Sequence, residues 1–195
     1  MNRPVAGLLL AAGSSEPLGE PVQLLDVGGR PLLEVMAHRM AAWLHPLVIV
    51  LGWRAEEILE AADLSPAVVI IDYEWEQGIG SSAHAGLDHL SRERVHIPVL
   101  IALADQPGIT EAQLRSLQTA HAGGVTLPVY RHDAGYPLLV DRSQWDRFLS
   151  RALDPLDIAR AHPEWVTEVR GDERAPRRIQ VPTDIEPALS RFGAA

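Results

Sequence analysis

The chain has no cysteine and no lysine. Without cysteine there is no disulfide, no thiolate nucleophile and no Cys-ligated zinc, which accords with a reducing, cytoplasmic setting. All 17 basic residues are arginines, so no lysine can clamp a phosphate, act as a general base or form a Schiff base. Positive charge is scarce as well. Against 26 acidic residues the net charge is −9, which argues against a general nucleic-acid or anionic-membrane binder. No apolar run approaches membrane-spanning length. Met1-Asn2-Arg3-Pro4 leads straight into a short apolar segment with no cleavage-site pattern, so no signal peptide is expected. Repeats, linkers and low-complexity stretches are missing too. The 195 residues suit one domain, 1–195, with a sizeable core.

What is present is organised around residues 5–25. The apolar run 5–10 predicts a strand buried on both faces. It flows into Ala11-Ala12-Gly13-Ser14-Ser15, and Gly13 and Gly19 bracket a turn-rich segment holding Pro17 and Pro21. Small residues at the C-terminal end of a first parallel strand let a ligand approach backbone N–H groups, the donors a triphosphate needs. Open α/β sheets bind ligands at this end of their strands. The two glycines have the outer spacing of a P-loop, but no Lys-Ser/Thr follows Gly19, so that motif fails. A glycine-rich connection without a ligand remains the alternative.

Further along, residues 47–51, 68–71 and 99–103 predict strands, with helices over 32–43, 55–62, 83–90 and 111–121 between and after them. Right-handed crossovers would put these strands in one parallel sheet. Ser81 or Ser82 is expected to cap the helix at 83, Thr110 the helix at 111, Ser143 a helix to Ser150, and Thr183 a last helix at 185–191. Residues 125–130 and 136–140 are two more strands, either a hairpin or a strand and an insertion. Residues 165–169 form an edge strand, and Glu173-Arg174 belongs to an exposed charged stretch. Asp105 ends the fourth strand, in Asp105-Gln106-Pro107. A carboxylate there can hold a divalent metal or cap the following turn.

In this order the segments resemble the MobA-like nucleotidyltransferases, and among them the molybdenum-cofactor cytidylyltransferases. The resemblance rests on Leu10-Ala11-Ala12-Gly13 with Ser15 and Gly19, then Gln23-Leu24-Leu25 and Gly28-Gly29-Arg30-Pro31. It continues through Gly78-Ile79-Gly80-Ser81-Ser82, Asp105-Gln106-Pro107 and Gly135-Tyr136-Pro137, and spans nearly the whole chain. It implies a three-layer, Rossmann-like α/β fold with a mainly parallel sheet and helices on both faces. The implied reaction couples a nucleoside triphosphate to an acceptor phosphate with release of pyrophosphate, as a cytidylyl- or guanylyltransferase does. Leu10, Ala11, Ala12, Gly13, Ser15, Gly80, Ser81 and Ser82 would bind the nucleotide, and Asp105 would hold Mg²⁺. A pterin cofactor as acceptor and a molybdoenzyme as partner are implied as well.

The departures bear on the chemistry. Where the family opening carries an Arg and a Lys, this chain has Pro17 and Val22. Near the C-terminus Gln180 stands where the family's second metal carboxylate is expected, in Arg178-Ile179-Gln180-Val181-Pro182. Attack at an α-phosphate gathers negative charge on the transferring group and the leaving pyrophosphate, and the protein's part is mainly neutralisation and positioning. Loss of one such group costs roughly 10²–10³ in rate. Arg30, as a catalytic cation, and His84 are the candidates to replace the missing charge. Two expectations follow: a transferase with impaired activity, or a degenerate member that binds a ligand or assists assembly of a molybdoenzyme. A sugar-phosphate nucleotidyltransferase would share the fold but needs the same lost cations.

Overall fold

The computed structural model describes residues 4–131, 133–149, 153–171 and 175–192. Ser150, the expected end of the helix opened by Ser143, and Glu173-Arg174 lie outside these residues.

Strands β1 (Ala6–Ala11), β2 (Leu47–Leu51), β3 (Val68–Ile71), β4 (Val99–Leu103), β5 (Val125–Tyr130), β6 (Asp133–Ala134), β7 (Leu138–Val140) and β8 (Val166–Gly171) form one eight-stranded sheet. Its order is β3-β2-β1-β4-β7-β5-β6, with β8 paired to β5. The β1–β2, β2–β3, β1–β4 and β5–β8 pairs are parallel. β7 runs antiparallel between β4 and β5, and β6 pairs antiparallel with the far end of β5. Of the two possibilities for residues 125–140, the hairpin is therefore the one formed, broken at Gly135-Tyr136-Pro137.

Helices α1 (Leu32–Ala41), α2 (Ala55–Ala61), α3 (Ile79–Arg92), α4 (Glu111–Ala120), α5 (Pro155–Ala161) and α6 (Ile185–Phe192) cover both faces. The continuous apolar run of β1 splits by strand periodicity. Leu9 and Ala11 enter one core with Leu33 and Met36 of α1, Ile58 of α2, Leu114 and Leu117 of α4 and Phe192 of α6. Leu8 and Leu10 enter the other with Ala83 and Leu87 of α3, Ile158 of α5, and Trp145 and Phe148 from the segment 142–148. This is the expected three-layer α/β fold with a mostly parallel sheet.

The caps expected at 143 and 183 differ from what forms. Residues Arg142–Phe148 form a 3-10 helix whose cap is Asp141, its side chain accepting from Ser143 N. Thr183 lies inside a 3-10 turn, and Asp184 Oδ2 instead accepts from Gln180 N and Val181 N. The cap at Thr110 holds: its Oγ1 accepts from Gln113 N at 3.2 Å.

Helix α3 reaches the sheet through Gly86. A Cβ there would lie 2.2 Å from Leu8 Cδ1 and 3.1 Å from Leu8 Cγ. Leu8 is fully buried and has nowhere to turn. Ordinarily Gly→Ala inside a helix gains about 1 kcal/mol; here overpacking should outweigh it. Gly86→Ala is expected to destabilise the fold by about 1–3 kcal/mol, read as a lower denaturant midpoint at unchanged slope. A midpoint equal to or above that of the unsubstituted protein would show that α3 is free to lift from β1.

Candidate active site

The C-terminal ends of β1 and β4 open into a cleft of about 390 Å³. The loop after β1 forms one wall, with Ala12, Gly13, Ser14, Ser15 and Pro17. The tip of β4 with Asp105 forms the floor beside it. Trp75, Ile79 and Ser82 close one side, and Arg178, Ile179 and Gln180 the other.

The loop keeps its shape through Ser15. Its buried hydroxyl donates to Glu20 O at 2.9 Å and accepts from Val22 N at 2.9 Å. Gln23 Nε2 donates to Ala11 O at 2.5 Å. The backbone N–H groups of Gly13, Ser14 and Ser15 make no hydrogen bond to any described residue. Three successive donors are thus presented at a strand end, and a Cβ added at Gly13 would meet nothing within 4 Å. Gln23 is 1% exposed, lines the cleft, and leaves its Oε1 without a partner. A buried polar atom of that kind normally finds one.

Asp105 is not an open ligand. Arg178 forks onto it, with Nε at 3.2 and 3.0 Å from the two carboxylate oxygens and Nη2 at 2.6 Å from Oδ2. The backbone reinforces the pair: Ile179 N donates to Asp105 O at 2.7 Å, and Gln106 Nε2 to Pro176 O at 2.6 Å. Burial opposes the charge on Arg178, but the Asp105 carboxylate outweighs it and holds the guanidinium above its ordinary range, with Asp154 adding to the effect. Hard divalent ions take several oxygen ligands, usually with more than one carboxylate for all-protein sites. Here the one carboxylate at the β4 tip is neutralised by a guanidinium and Gln180 is neutral. No cluster of three His, Cys, Asp or Glu among the described residues suits a metal. The donor set as arranged does not fit Mg²⁺ on Asp105.

Of the expected nucleotide-binding residues, Leu10, Ala11, Ala12, Gly13, Ser15 and Ser82 line the cleft with Asp105 and Gln180. Gly80 and Ser81 do not; both are buried in the first turn of α3. Neither serine caps that helix. It begins at Ile79 behind Gly78, and the hydroxyls of Ser81 and Ser82 donate instead to Asp72, at 3.1 and 3.0 Å. Asp72 is 4% exposed and also accepts from Glu74 N, so its buried charge is met by three donors near a helix N-terminus. Arg30 lies outside the cleft. It pairs with Glu34 at 2.6 Å on the exposed side of α1, where i,i+4 spacing brings them together. His84 is occupied too, its Nδ1 2.9 Å from Leu149 O. Among the described residues the cation that does reach the cleft is Arg178. Its signal in the sequence was a basic residue inside the stretch where acidic residues were expected.

A family model for the MobA-like NTP transferase domain matches residues 7–167. The chain belongs to the MobA-like NTP transferase family. Nicotine blue oxidoreductase from Paenarthrobacter nicotinovorans is 39% identical over 122 residues, a match spanning 62% of this chain and 58% of that protein. The structure of a Mycobacterium sp. strain JC1 homologue of the Mycobacterium tuberculosis protein Rv0371c superposes with a TM-score of 0.81 at 27% identity, covering 96% of each chain. Rv0371c itself, in complex with manganese, gives 0.74 at 24% identity, covering 96% of this chain and 99% of that one. Within this MobA-like chain the Gly135-Tyr136-Pro137 turn is fixed by Tyr136, whose hydroxyl donates to Asp154 Oδ1 at 2.6 Å. Asp154 in turn caps α5 by accepting from Leu156 N.

Burial, with the Asp154 charge second, pushes the Tyr136 phenol well above its ordinary value. An acid whose folded pKa is raised stabilises the fold below its unfolded pKa and loses that contribution as pH rises past it. Stability should therefore fall as pH rises above about 10, the ordinary phenol value. Tyr136→Phe is expected to cost about 1–2 kcal/mol at neutral pH and to flatten the alkaline decline. Denaturation midpoints across the pH series read both, and an unchanged alkaline slope in Tyr136→Phe would assign the decline elsewhere.

Proposed function

We propose that this chain is a nucleotide-binding MobA-like protein whose transfer of a nucleotidyl group is impaired, acting as one domain over 1–195. The observation that carries the reading is the cleft itself. It keeps three free backbone donors for phosphate at Gly13, Ser14 and Ser15, while its floor carboxylate is already neutralised by Arg178. Gln23 Oε1 offers an acceptor to a ribose hydroxyl or a base N–H. Leu10, Ala11 and Ala12 would pass under the nucleotide, and Ser82 would border it. The acceptor's phosphate would be the nucleophile, so no nucleophilic side chain is needed. Family membership supports molybdenum cofactor maturation as the setting, with a pterin-type acceptor and a molybdoenzyme as partner. No described helix is long and apolar enough to cross a membrane, which is compatible with a cytoplasmic role.

A second reading is favoured by the relative that is named an oxidoreductase. On this reading the electrons come from a bound organic carrier. A reduced nicotinamide dinucleotide would supply a hydride, and its nucleotide half would use the same cleft.

Isothermal titration with CTP, GTP and ATP tests the first reading. Heat is expected with at least one, together with pyrophosphate release about 10²–10³-fold below that of an intact family member. No heat with any nucleotide would end the nucleotide reading, and full-rate pyrophosphate release would end the impairment. Oxidation of reduced nicotinamide dinucleotide in the presence of nicotine blue would move the choice to the second reading. Both Pro17 and Val22 line the cleft, but Pro17 is exposed whereas Val22 is buried and packs into the α1-side core. Pro17→Arg alone should therefore tighten triphosphate binding, by about tenfold for one charge-assisted contact. An unchanged affinity would show that the loop does not face the phosphates.

A further inference from the structure

We propose that Arg178 is a resident cation standing in for a divalent metal, so that the cleft holds nucleotide phosphates without any metal ion. The inference rests on the nucleotide-binding reading and goes one step beyond it. The ligand chemistry is a nucleoside polyphosphate, either a free nucleotide or the diphosphate bridge of a dinucleotide.

Three independent features converge on it. The first is the position of the charge. Among the described residues Arg178 is the one basic residue lining the cleft, in a chain without lysine, and it occupies the carboxylate that would otherwise take the metal. The second is preorganisation. Asp105 fixes the guanidinium by a fork, and two further bonds, Ile179 N to Asp105 O and Gln106 Nε2 to Pro176 O, lash the 176–180 segment to the tip of β4. A planar guanidinium has five N–H donors. Asp105 engages those on Nε and Nη2, while the donors on Nη1 meet no described residue. With a side chain 39% exposed, Arg178 is held in place yet still open on one side, the arrangement by which arginine grips phosphate. The third is the complementary set across the cleft. Gly13, Ser14 and Ser15 supply unpaired N–H groups, and the fully buried Gln23 leaves an unpaired acceptor there.

Alternatives at the same place fare worse. A divalent ion would have to displace three charge-assisted hydrogen bonds to reach Asp105, with Glu76 the one other carboxylate among the described lining residues. A purely structural ion pair would leave the loop donors, the Nη1 donors and Gln23 Oε1 all without purpose at one cleft.

Titration calorimetry on the full chain tests the inference, using CTP, GTP, ATP and reduced nicotinamide dinucleotide as probes. Each is measured in excess chelator and again in magnesium. Affinity for the bound probe is expected to agree within about twofold between the two buffers, and to fall about 10–100-fold in Arg178→Gln, the range of a charge-assisted bond. Arg178→Lys should lie between. Arg178→Asp places a second carboxylate at the β4 tip, and should bind Mn²⁺ where the unsubstituted protein does not, read by the loss of the free-ion electron paramagnetic resonance signal. Circular dichroism verifies that each variant is folded; if none is, the chelator comparison on the unsubstituted protein decides alone. Binding that disappears in chelator overturns the resident-cation inference and leaves the nucleotide reading intact. No heat with any probe in either buffer overturns both. Which probe binds separates the free nucleotide from the dinucleotide.

Discussion

The fork between Arg178 and Asp105 is the interaction on which the cleft depends. Asp105 is the natural end point of a buried parallel strand, where the sheet stops and solvent begins. A lone carboxylate there would need either a cation from solution or donors from the chain. This chain supplies the cation itself, from a segment 73 residues away in sequence. The Ile179 N to Asp105 O bond joins that segment to the strand tip, so side chain and backbone fix the same geometry twice. Isolated surface pairs are worth little. This one is partly buried, forked and tied to a backbone bond, so its role is to define where charge sits rather than to add much stability.

The loop after β1 and the first turn of α3 are built on the same logic, with polar side chains holding backbone in place. Ser15 bridges Glu20 O and Val22 N, so the loop needs no arginine or lysine to hold its form. Asp72 gathers Ser81, Ser82 and Glu74 N, and thereby sets the start of α3 against the end of β3. A fold can thus retain the outline of a nucleotide site after its mobile charges have gone, because the outline is hydrogen-bonded from within.

Much of this was legible in the sequence. Continuous apolar runs such as 47–51 and 99–103 read as strands buried on both faces, and they are. The strand-end position of Gly13 and Asp105 followed from the same periodicity, and both line one cleft. What could not be read was side-chain partnering across large separations. Ser81 and Ser82 look like helix caps because their local spacing suits a cap; the buried Asp72 that claims them is fixed only by the sheet. Arg30 looks like the nearest cation because it is near in sequence, yet Glu34, one helical turn on, takes it first. Arg178 carries no local signal beyond its charge, and only the path of the C-terminal segment back to β4 gives it a role.

That role also explains why binding and catalysis part company here. A divalent ion offers two positive charges at a point and can polarise phosphoryl oxygens as a Lewis acid. A guanidinium offers one charge, spread over a plane, and half of it already faces Asp105. It can orient and neutralise a resting phosphate through hydrogen bonds, and it needs no ion from solution to do so. The extra charge that builds at the α-phosphate and on leaving pyrophosphate in a transfer reaction meets backbone N–H groups but no second cation among the described lining residues: Glu76, the other ionisable side chain there, is acidic. Stabilisation that is equal in the ground state and the transition state lowers no barrier. A cleft with this balance of charge grips a nucleotide better than it cleaves one.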